Sequence, residues 1–534
     1  AAQPLAVQAG AKVLEAGGTA ADAMIAVQAV LGLVEPQSSG LGGGAFLLWH
    51  DGATGEITTL DGRETAPLAA TPRLFQTPDG KPMGFWDAVI GGRSVGVPGV
   101  PALLGEAHRR WGNQPWGSLL DPAIELAEAG FEASPRLAAL VAADQERLAR
   151  YPETAAYFLP EGKPLEVGAR LVNPDYAETL RDIAREGAAA FYATGEGGIG
   201  RAIVQAVRGV PDNPGALSEL DLAAYQLRER AAVCAPYRQY EVCGMGPPSS
   251  GGVAVGQILG MLAAFDLAAL GAEKVEAWRL IGDASRLAFA DRERFLADED
   301  FTPVPVEGLL DPAYLAGRAE LLRGAKALPA AEAGKPKWNH AGLRVDGVSL
   351  ERPSTSHISI VDRYGNALSM TSSIENAFGS RVMVRGFLLN NQLTDFSFAT
   401  HREGARVANH LEPGKRPRSS MAPTIVREAG KPVLVIGSPG GSRIIGYVAQ
   451  TVIAWADWGM DVQAAVAMPH LVNRFGRYEL EEGTTALGLA PELEAMGFET
   501  RAVEMTSGLH GIEIGERGLS GGADPRREGI ALGR

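Results

Sequence analysis

Thr355-Ser356-His357-Ile358-Ser359-Ile360-Val361-Asp362 is the stretch at which the chain changes character. Residues 357–361 and 367–374 alternate apolar and polar side chains on either side of Arg363-Tyr364-Gly365-Asn366. That is the pattern of two half-buried strands joined by a tight turn. Ahead of it, residues 326–354 are rich in Ala, Gly, Lys and Pro, with few large apolar side chains besides Trp338. This composition predicts an exposed linker. A hydroxyl residue at the junction of a linker and a strand has a specific chemical use. If the chain is cut before Thr355, that residue gains a free α-amine, with a reference pKa of about 7.7–8.0. Such an amine can act as general base toward the hydroxyl of its own residue near neutral pH. Spacing alone favours an ordinary Thr at the start of a strand over this reading.

Upstream the pattern is helical. Residues 4–17 and 20–33 carry apolar side chains at helix spacing, with Gly17-Gly18-Thr19 as stop and restart. A glycine-rich turn at 38–44 leads to strand candidates at 45–50 and 56–60. Residues 99–235 read as helix and loop, and Pro247-Pro248-Ser249-Ser250-Gly251-Gly252 opens a helical run to about Asp291. Downstream of Thr355, further strands are expected at 424–427, 433–436, 478–480, 511–514 and 529–532. Helices first and mostly strands afterwards predict an α+β layered protein.

Composition excludes several classes. With 534 residues, of which 46% are hydrophobic and 21% charged, there is ample apolar matter for a large core, so disorder is excluded as the main state. The length allows three or four domains or one large layered unit. The net charge of −14 repels phosphate backbones and argues against general nucleic-acid binding. No run reaches the about 18 consecutive apolar residues of a membrane span. Two cysteines cannot build a disulfide scaffold or a thiolate zinc cluster. Cys234 and Cys243 flank a turn-like stretch and could pair across a hairpin, but the reading preferred is two separate thiols behaving as small buried apolar residues. No metal or cofactor motif is found, and the eight His are scattered. Gly195-Glu196-Gly197-Gly198-Ile199-Gly200 fits a dinucleotide fingerprint in letters only. A helix-like stretch precedes it and Glu196 would face a pyrophosphate, so a turn between helices is expected. Residues 1–13 lack the basic start and apolar block of an export signal, and a removed signal ahead of Ala1 stays open.

The residues around Thr355 resemble the γ-glutamyltranspeptidase signature: Thr355 through Asp362, Gly365-Asn366-Ala367, Thr371-Ser372-Ser373-Ile374-Glu375 and Phe378-Gly379. Blocks in family order extend the likeness over nearly the whole chain. They include Gly17 to Ala23, Gly42-Gly43-Gly44, Asp61 to Pro67, Pro247 to Gly252, Leu388 to Gln392 with Asp395, Ser419 to Thr424, Gly437 to Ser442 and Ala523 to Arg527. The resemblance implies an amino-terminal nucleophile hydrolase with a four-layer αββα sandwich. It implies a precursor that cuts itself between Ser354 and Thr355 into a large subunit, 1–354, and a small subunit, 355–534, interwoven in one unit.

It further implies Thr355 as the nucleophile toward the γ-carbonyl of a γ-glutamyl amide, and Gly440 and Gly441 as oxyanion-hole donors. Ser373 falls where the family has a second, orienting Thr; it keeps the hydroxyl and loses a methyl. Arg63, Ser419 and Ser420 match the binders of the substrate α-carboxylate, and Gln392 and Asp395 those of its ammonium. Glu375 stands where many relatives have Asn. The segment between Asp395 and Ser419 is short and has no Tyr to close over the pocket, so hydrolysis is expected ahead of transpeptidation. No cofactor is implied. The expected partners are a small γ-glutamyl substrate, such as glutathione, and the two subunits of one precursor. A periplasmic or secreted location follows from family habit alone.

Two other readings remain. A glutaryl or cephalosporin-type acylase of the same superfamily would leave Glu375 and Asp395 facing no ammonium, and burying unpaired carboxylates is costly. An uncut, non-enzymatic scaffold would require loss of the nucleophile, of which the sequence gives no sign.

Overall fold

Two small-residue helices, α1 (Pro4–Glu15) and α2 (Ala20–Val34), open the chain. Gly17, at φ +89, turns out of the first, and Thr19 caps the second through a reciprocal pair with Asp22. In this computed structural model, residues 1–340, 344–347 and 354–533 are described. Strands β1 (Gly44–His50) and β2 (Ile57–Gly62) follow, then α3 (Val100–Trp111) and further helices as far as Ala224. Next come β3 (Arg228–Arg230), β4 (Val233–Tyr237), β5 (Tyr240–Gly244), α4 (Gly251–Leu262) and α5 (Val275–Phe295), with two short helices, Val306–Leu309 and Pro312–Glu320, after them. After Thr355 come β6 (Ser356–Val361), β7 (Ala367–Ser373), β8 (Thr424–Glu428) and β9 (Lys431–Gly437). They are followed by α6 (Ile444–Ala456), α7 (Val462–Ala467), β10 (His510–Gly515) and β11 (Gly518–Ala523).

The strands form two principal sheets, ordered β3-β2-β1-β7-β6 and β11-β10-β9-β8-β5-β4. Both mix strands from either side of Thr355, so the two parts share one fold rather than lying side by side. Alternation along β1 sets the layers: Ala45, Leu47 and Trp49 join the core under α1 and α2, whereas Phe46 and Leu48 join the core that contains the second sheet. On β6, Ile358 and Ile360 point to the helical side. The opposite face carries His357, whose ring bonds Thr371 Oγ1 and Ser359 Oγ at 2.9 Å each. Ser369 Oγ donates to Ile436 O of the facing sheet at 3.1 Å. Helices α4, α6 and α7 cover the second sheet. The result is the expected αββα order.

Three expectations need correction. Cys234 and Cys243 are not separate thiols: they stand directly opposite each other in the β4–β5 ladder, with Cα atoms 4.0 Å apart, and form a disulfide. A two-residue turn at 238–239 makes that register, and apolar composition said nothing about it. No strand forms at 529–532, whereas β11 does at 518–523; four of the letters at 518–523 are Gly or Ser, so its sequence carries no strand signal. The described part of the linker is exposed at Lys326, Lys335 and Lys337 but tethered along α5. Leu328 N–H donates to Asp283, Gly334 N–H to Asp291, and Trp338 lies edge-on to Phe295. The rest of the expected linker, 341–343 and 348–353, lies outside the described residues. Gly198 begins a helix, Ile199–Gly209, after a short helical turn at Ala188–Tyr192, so the glycine-rich 195–200 segment is the expected turn between helices.

Candidate active site

Thr355 lies at the head of β6, and Ser373 ends its neighbour β7. The register pairs Ser356 with Ser372, which brings the preceding and following residues together. Thr355 Oγ1 donates to Ser373 Oγ at 2.9 Å, and Glu375 N–H donates to the same oxygen at 2.9 Å. With two donors on it, Ser373 Oγ fixes the direction of the Thr355 hydroxyl. Both residues are buried. The chain is continuous from Ser354 into Thr355, whose φ is +89. That region is a genuine outlier for a β-branched residue, costing about 1–3 kcal/mol.

Gly440 N–H donates to the carbonyl oxygen of Ser354 at 3.1 Å. Gly440 has φ +134 and Gly441 φ +59, immediately ahead of α6. A Cβ on Gly440 would meet the Tyr447 ring at 2.7 Å, so glycine is required there on both counts. The Ser354 hydroxyl donates to Gln37 O at 3.1 Å, which anchors its side chain.

A buried polar cluster adjoins this pair. Arg63 follows directly on β2, and its Nε and Nη2 donate to the carbonyls of Pro417 and Arg418. Nη2 also donates to Asp395 Oδ2 at 2.5 Å. Gln392 Nε2 donates to the same oxygen at 2.7 Å. Among the buried atoms here that make no hydrogen bond within the described residues are Arg63 Nη1, a pure donor, Gln392 Oε1, a pure acceptor, and both carboxyl oxygens of Glu64. Asn391 ties the cluster to the end of β7, donating its N–H to Ile374 O and its Nδ2 to Glu375 Oε2 at 2.5 Å. Burial pushes the Glu64 carboxyl, 3.7 Å from Arg63 Nη1, up to about 8, which favours its neutral form and weakens its hold on the Arg63 charge.

Ser419 and Ser420 complete the cluster, and a residue the sequence reading missed governs them. Arg292, fully buried on α5, donates Nη2 to Ser420 Oγ at 2.7 Å and Nε to Ser250 Oγ at 2.8 Å. Ser250 Oγ in turn donates to Ser419 O at 2.7 Å. Met421 N–H donates to Ser419 Oγ at 3.1 Å. Guanidinium and amide N–H groups only donate. Both serine oxygens are therefore engaged as acceptors, and each keeps its own hydrogen to give to an anion. The sequence signal was a charged Asp291-Arg292-Glu293 triplet closing an otherwise mostly buried helix, which reads on its own as a solvated helix end. Every site residue named from sequence thus falls in one connected region.

A hydroxyl at the head of a strand between two packed sheets, an adjacent glycine donor and αββα layering define the amino-terminal nucleophile hydrolase class. The sequence model of the family described as Gamma-glutamyltranspeptidase matches residues 6–534, and the chain belongs to that family. Among similar proteins, the glutathione hydrolase proenzyme of Bacillus subtilis (strain 168) is 38% identical over all of this chain and 90% of its own length. A solved cephalosporin acylase from Bacillus halodurans superposes with a TM-score of 0.85 at 27% identity, covering 99% of this chain and 94% of that one. A solved γ-glutamyltranspeptidase chain from Helicobacter pylori, 34% identical with a TM-score of 0.60, covers 64% of this chain and 96% of that one. No helix among the described residues is long and apolar enough to cross a membrane.

Proposed function

We propose that this enzyme hydrolyses γ-glutamyl amides such as glutathione through an ester on Thr355, after cutting itself between Ser354 and Thr355. Arg63 Nη1 and Gln392 Oε1, which make no hydrogen bond within the described residues, carry the reading. One buried donor and one buried acceptor, bridged by Asp395, suit a group with a carboxylate and an ammonium on one carbon. That is the free end of a γ-glutamyl group. A glutaryl group has the carboxylate only and would leave Gln392 and Asp395 facing no ammonium, so the acylase reading is less well supported.

In the first reaction Thr355 Oγ1 attacks the Ser354 carbonyl carbon, and the Gly440 N–H stabilises the oxygen as it gains charge. The Oγ1 proton passes to the Thr355 nitrogen as the Ser354–Thr355 C–N bond breaks, which gives an ester and a free α-amine; water then hydrolyses the ester to a Ser354 carboxylate and the Thr355 hydroxyl. The strained φ of Thr355 favours this step, because cutting the bond removes the constraint. In the second reaction the amine accepts the hydroxyl proton as Oγ1 bonds to the γ-carbonyl carbon. It returns that proton to the leaving amine as the amide C–N bond breaks. Water then hydrolyses the glutamyl ester. Gly440 and Gly441 N–H groups serve as the oxyanion hole, and Ser373 orients Oγ1. The Helicobacter pylori chain, matched nearly end to end, spans about the share of this chain that 1–354 makes up, which supports the cut. Between Asp395 and Ser419 the chain forms only a small exposed hairpin, His401–Arg402 with Ala405–Arg406, and has no Tyr; this supports water as the preferred acceptor.

The test is intact mass under denaturing conditions followed by turnover of γ-glutamyl and glutaryl anilides. Two chains, the smaller beginning at Thr355, and a γ-glutamyl preference are expected. A single chain with activity, or a glutaryl preference, sinks the proposal.

A further inference from the structure

Arg527 is the one guanidinium whose described contacts reach the backbone of the proposed nucleophile itself. Its Nη1 donates to the carbonyl of Thr355 at 2.8 Å, and its Nε and Nη2 donate to Thr506 O. The side chain is fully shielded from solvent. Gly508, at φ +78, makes room for it: a Cβ there would stand 2.4 Å from Arg527 Cδ. Glu35, at the end of α2, lies 3.7 Å from Arg527 and accepts from Ser356 Oγ at 2.6 Å. Arg136 approaches Glu35 from a neighbouring helix, also at 3.7 Å. Two guanidinium groups thus share one carboxylate beside Thr355. The other titratable side chains that face this corner are Asp524 and His510, and Tyr447 on α6. His357 lies on β6 itself, and Glu375 follows β7. Desolvation pushes the Arg527 guanidinium down to about 9, which leaves it charged at neutral pH.

We infer that Arg527 is a positioning residue for the nucleophile, fixing the Thr355 carbonyl and keeping the α-amine freed by cleavage uncharged near neutral pH. The inference rests on the cleavage proposed above. An amine acts as general base only when it is unprotonated, and its reference pKa of about 7.7–8.0 leaves much of it protonated at pH 7. A like charge held within one residue disfavours the ammonium, and the buried setting makes that repulsion stronger than it is in water. Glu35 acts in the opposite sense. Arg527 therefore raises the fraction of enzyme in which the amine can take the Oγ1 proton, without itself touching substrate.

The experiment compares wild type with Arg527→Gln, Arg527→Lys and Glu35→Gln. Processing is first measured by intact mass, and the pH profile of kcat/KM on a γ-glutamyl anilide is then recorded on the cleaved material. The acid limb reports the base of the free enzyme and does not depend on how much protein has been cleaved. In Arg527→Gln the limb moves up by about one pH unit. In Arg527→Lys the charge survives and the limb stays near the wild-type position, while kcat falls with loss of the fork. In Glu35→Gln the limb moves down. A merely structural role would lower activity at every pH and leave the limb in place. Coincident limbs for wild type and Arg527→Gln overturn the inference; if that variant is not cleaved, an unmoved limb in Glu35→Gln overturns it instead. A wild-type chain that stays whole overturns the cleavage reading as well, whereas cleaved, active enzyme with unmoved limbs overturns this inference alone.

Discussion

At the scale of single residues, the site is built by donors that have no choice. Gly440 is constrained twice, by φ +134 and by the Tyr447 ring. Gly440→Ala is therefore expected to turn the peptide away from the Ser354 carbonyl. The expected results are uncut protein and, in any cleaved fraction, kcat lower by about 10²–10³; denaturing mass and turnover check both. Arg292 forces Ser420 to accept, which leaves the serine hydrogen for a carboxylate. Arg292→Met should raise KM about tenfold on substrates with an α-carboxylate, in keeping with the loss of one charge-directed hydrogen bond. It should change kcat little, and should matter far less on a γ-aminobutyryl anilide, which lacks that carboxylate. Equal losses on both substrates would mean the effect is on the fold. Much of this site was legible in the sequence because its members sit in short motifs. Thr355, Ser373, Arg63, Gln392, Asp395, Ser419, Ser420 and the two glycines all fall within quoted blocks. Arg292 lies outside every quoted block, and Arg527, though it closes one, gave no sign of its role: a buried cation is identified by what it touches, and those partners lie 128 and 172 residues away.

At the scale of elements, period and punctuation carried the helices and most strands. Gly17-Gly18-Thr19 stops and restarts a helix because Gly takes positive φ and Thr caps. The β6–β7 turn was visible because Gly365 adopts φ +83 between two alternating runs. What the pattern could not carry was pairing. Cys234 and Cys243 face each other only because the β4–β5 hairpin closes in one register. Opening their disulfide releases a short loop, with a sequence separation of 9. Loop-closure entropy puts its contribution at about 2–3 kcal/mol. A double Cys234→Ser, Cys243→Ser variant should unfold at lower temperature than the oxidised protein, and reductant should shift the wild type the same way but leave the variant unmoved. Calorimetry with and without reductant checks this. The hairpin stands at the edge of its sheet, so kcat/KM should stay within about twofold of wild type.

At the scale of the whole molecule, joining the two sheets through a partly polar interior sets the response to pH. His357 is held neutral between the sheets by bonds to Thr371 and Ser359, and burial pushes its pKa down to about 3. His470 is likewise pushed down to about 3 by burial, and His510 well below its ordinary value. In the unfolded chain each takes a proton near 6.5. Between about 6.5 and 3 the unfolded state thus binds more protons than the native one, so stability falls as pH falls through that window. Glu64 works the other way. Its folded pKa of about 8 exceeds the unfolded value of 4.5, so its contribution is present below 4.5 and is lost as pH rises toward 8. His50 and His410, also held below their ordinary value by burial, add to the acid penalty, so the unfolding midpoint should drop from pH 6.5 to 4.5, while Glu64 makes it fall from 6.5 to 8. Removing one acid-sensitive group by His470→Gln should flatten the acid side, since Gln can still donate to or accept from Ser507 without titrating. Glu64→Gln should flatten the alkaline side instead. Midpoints measured at several pH values for the three proteins separate the two causes, and an acid slope unchanged by His470→Gln would remove that histidine from the account.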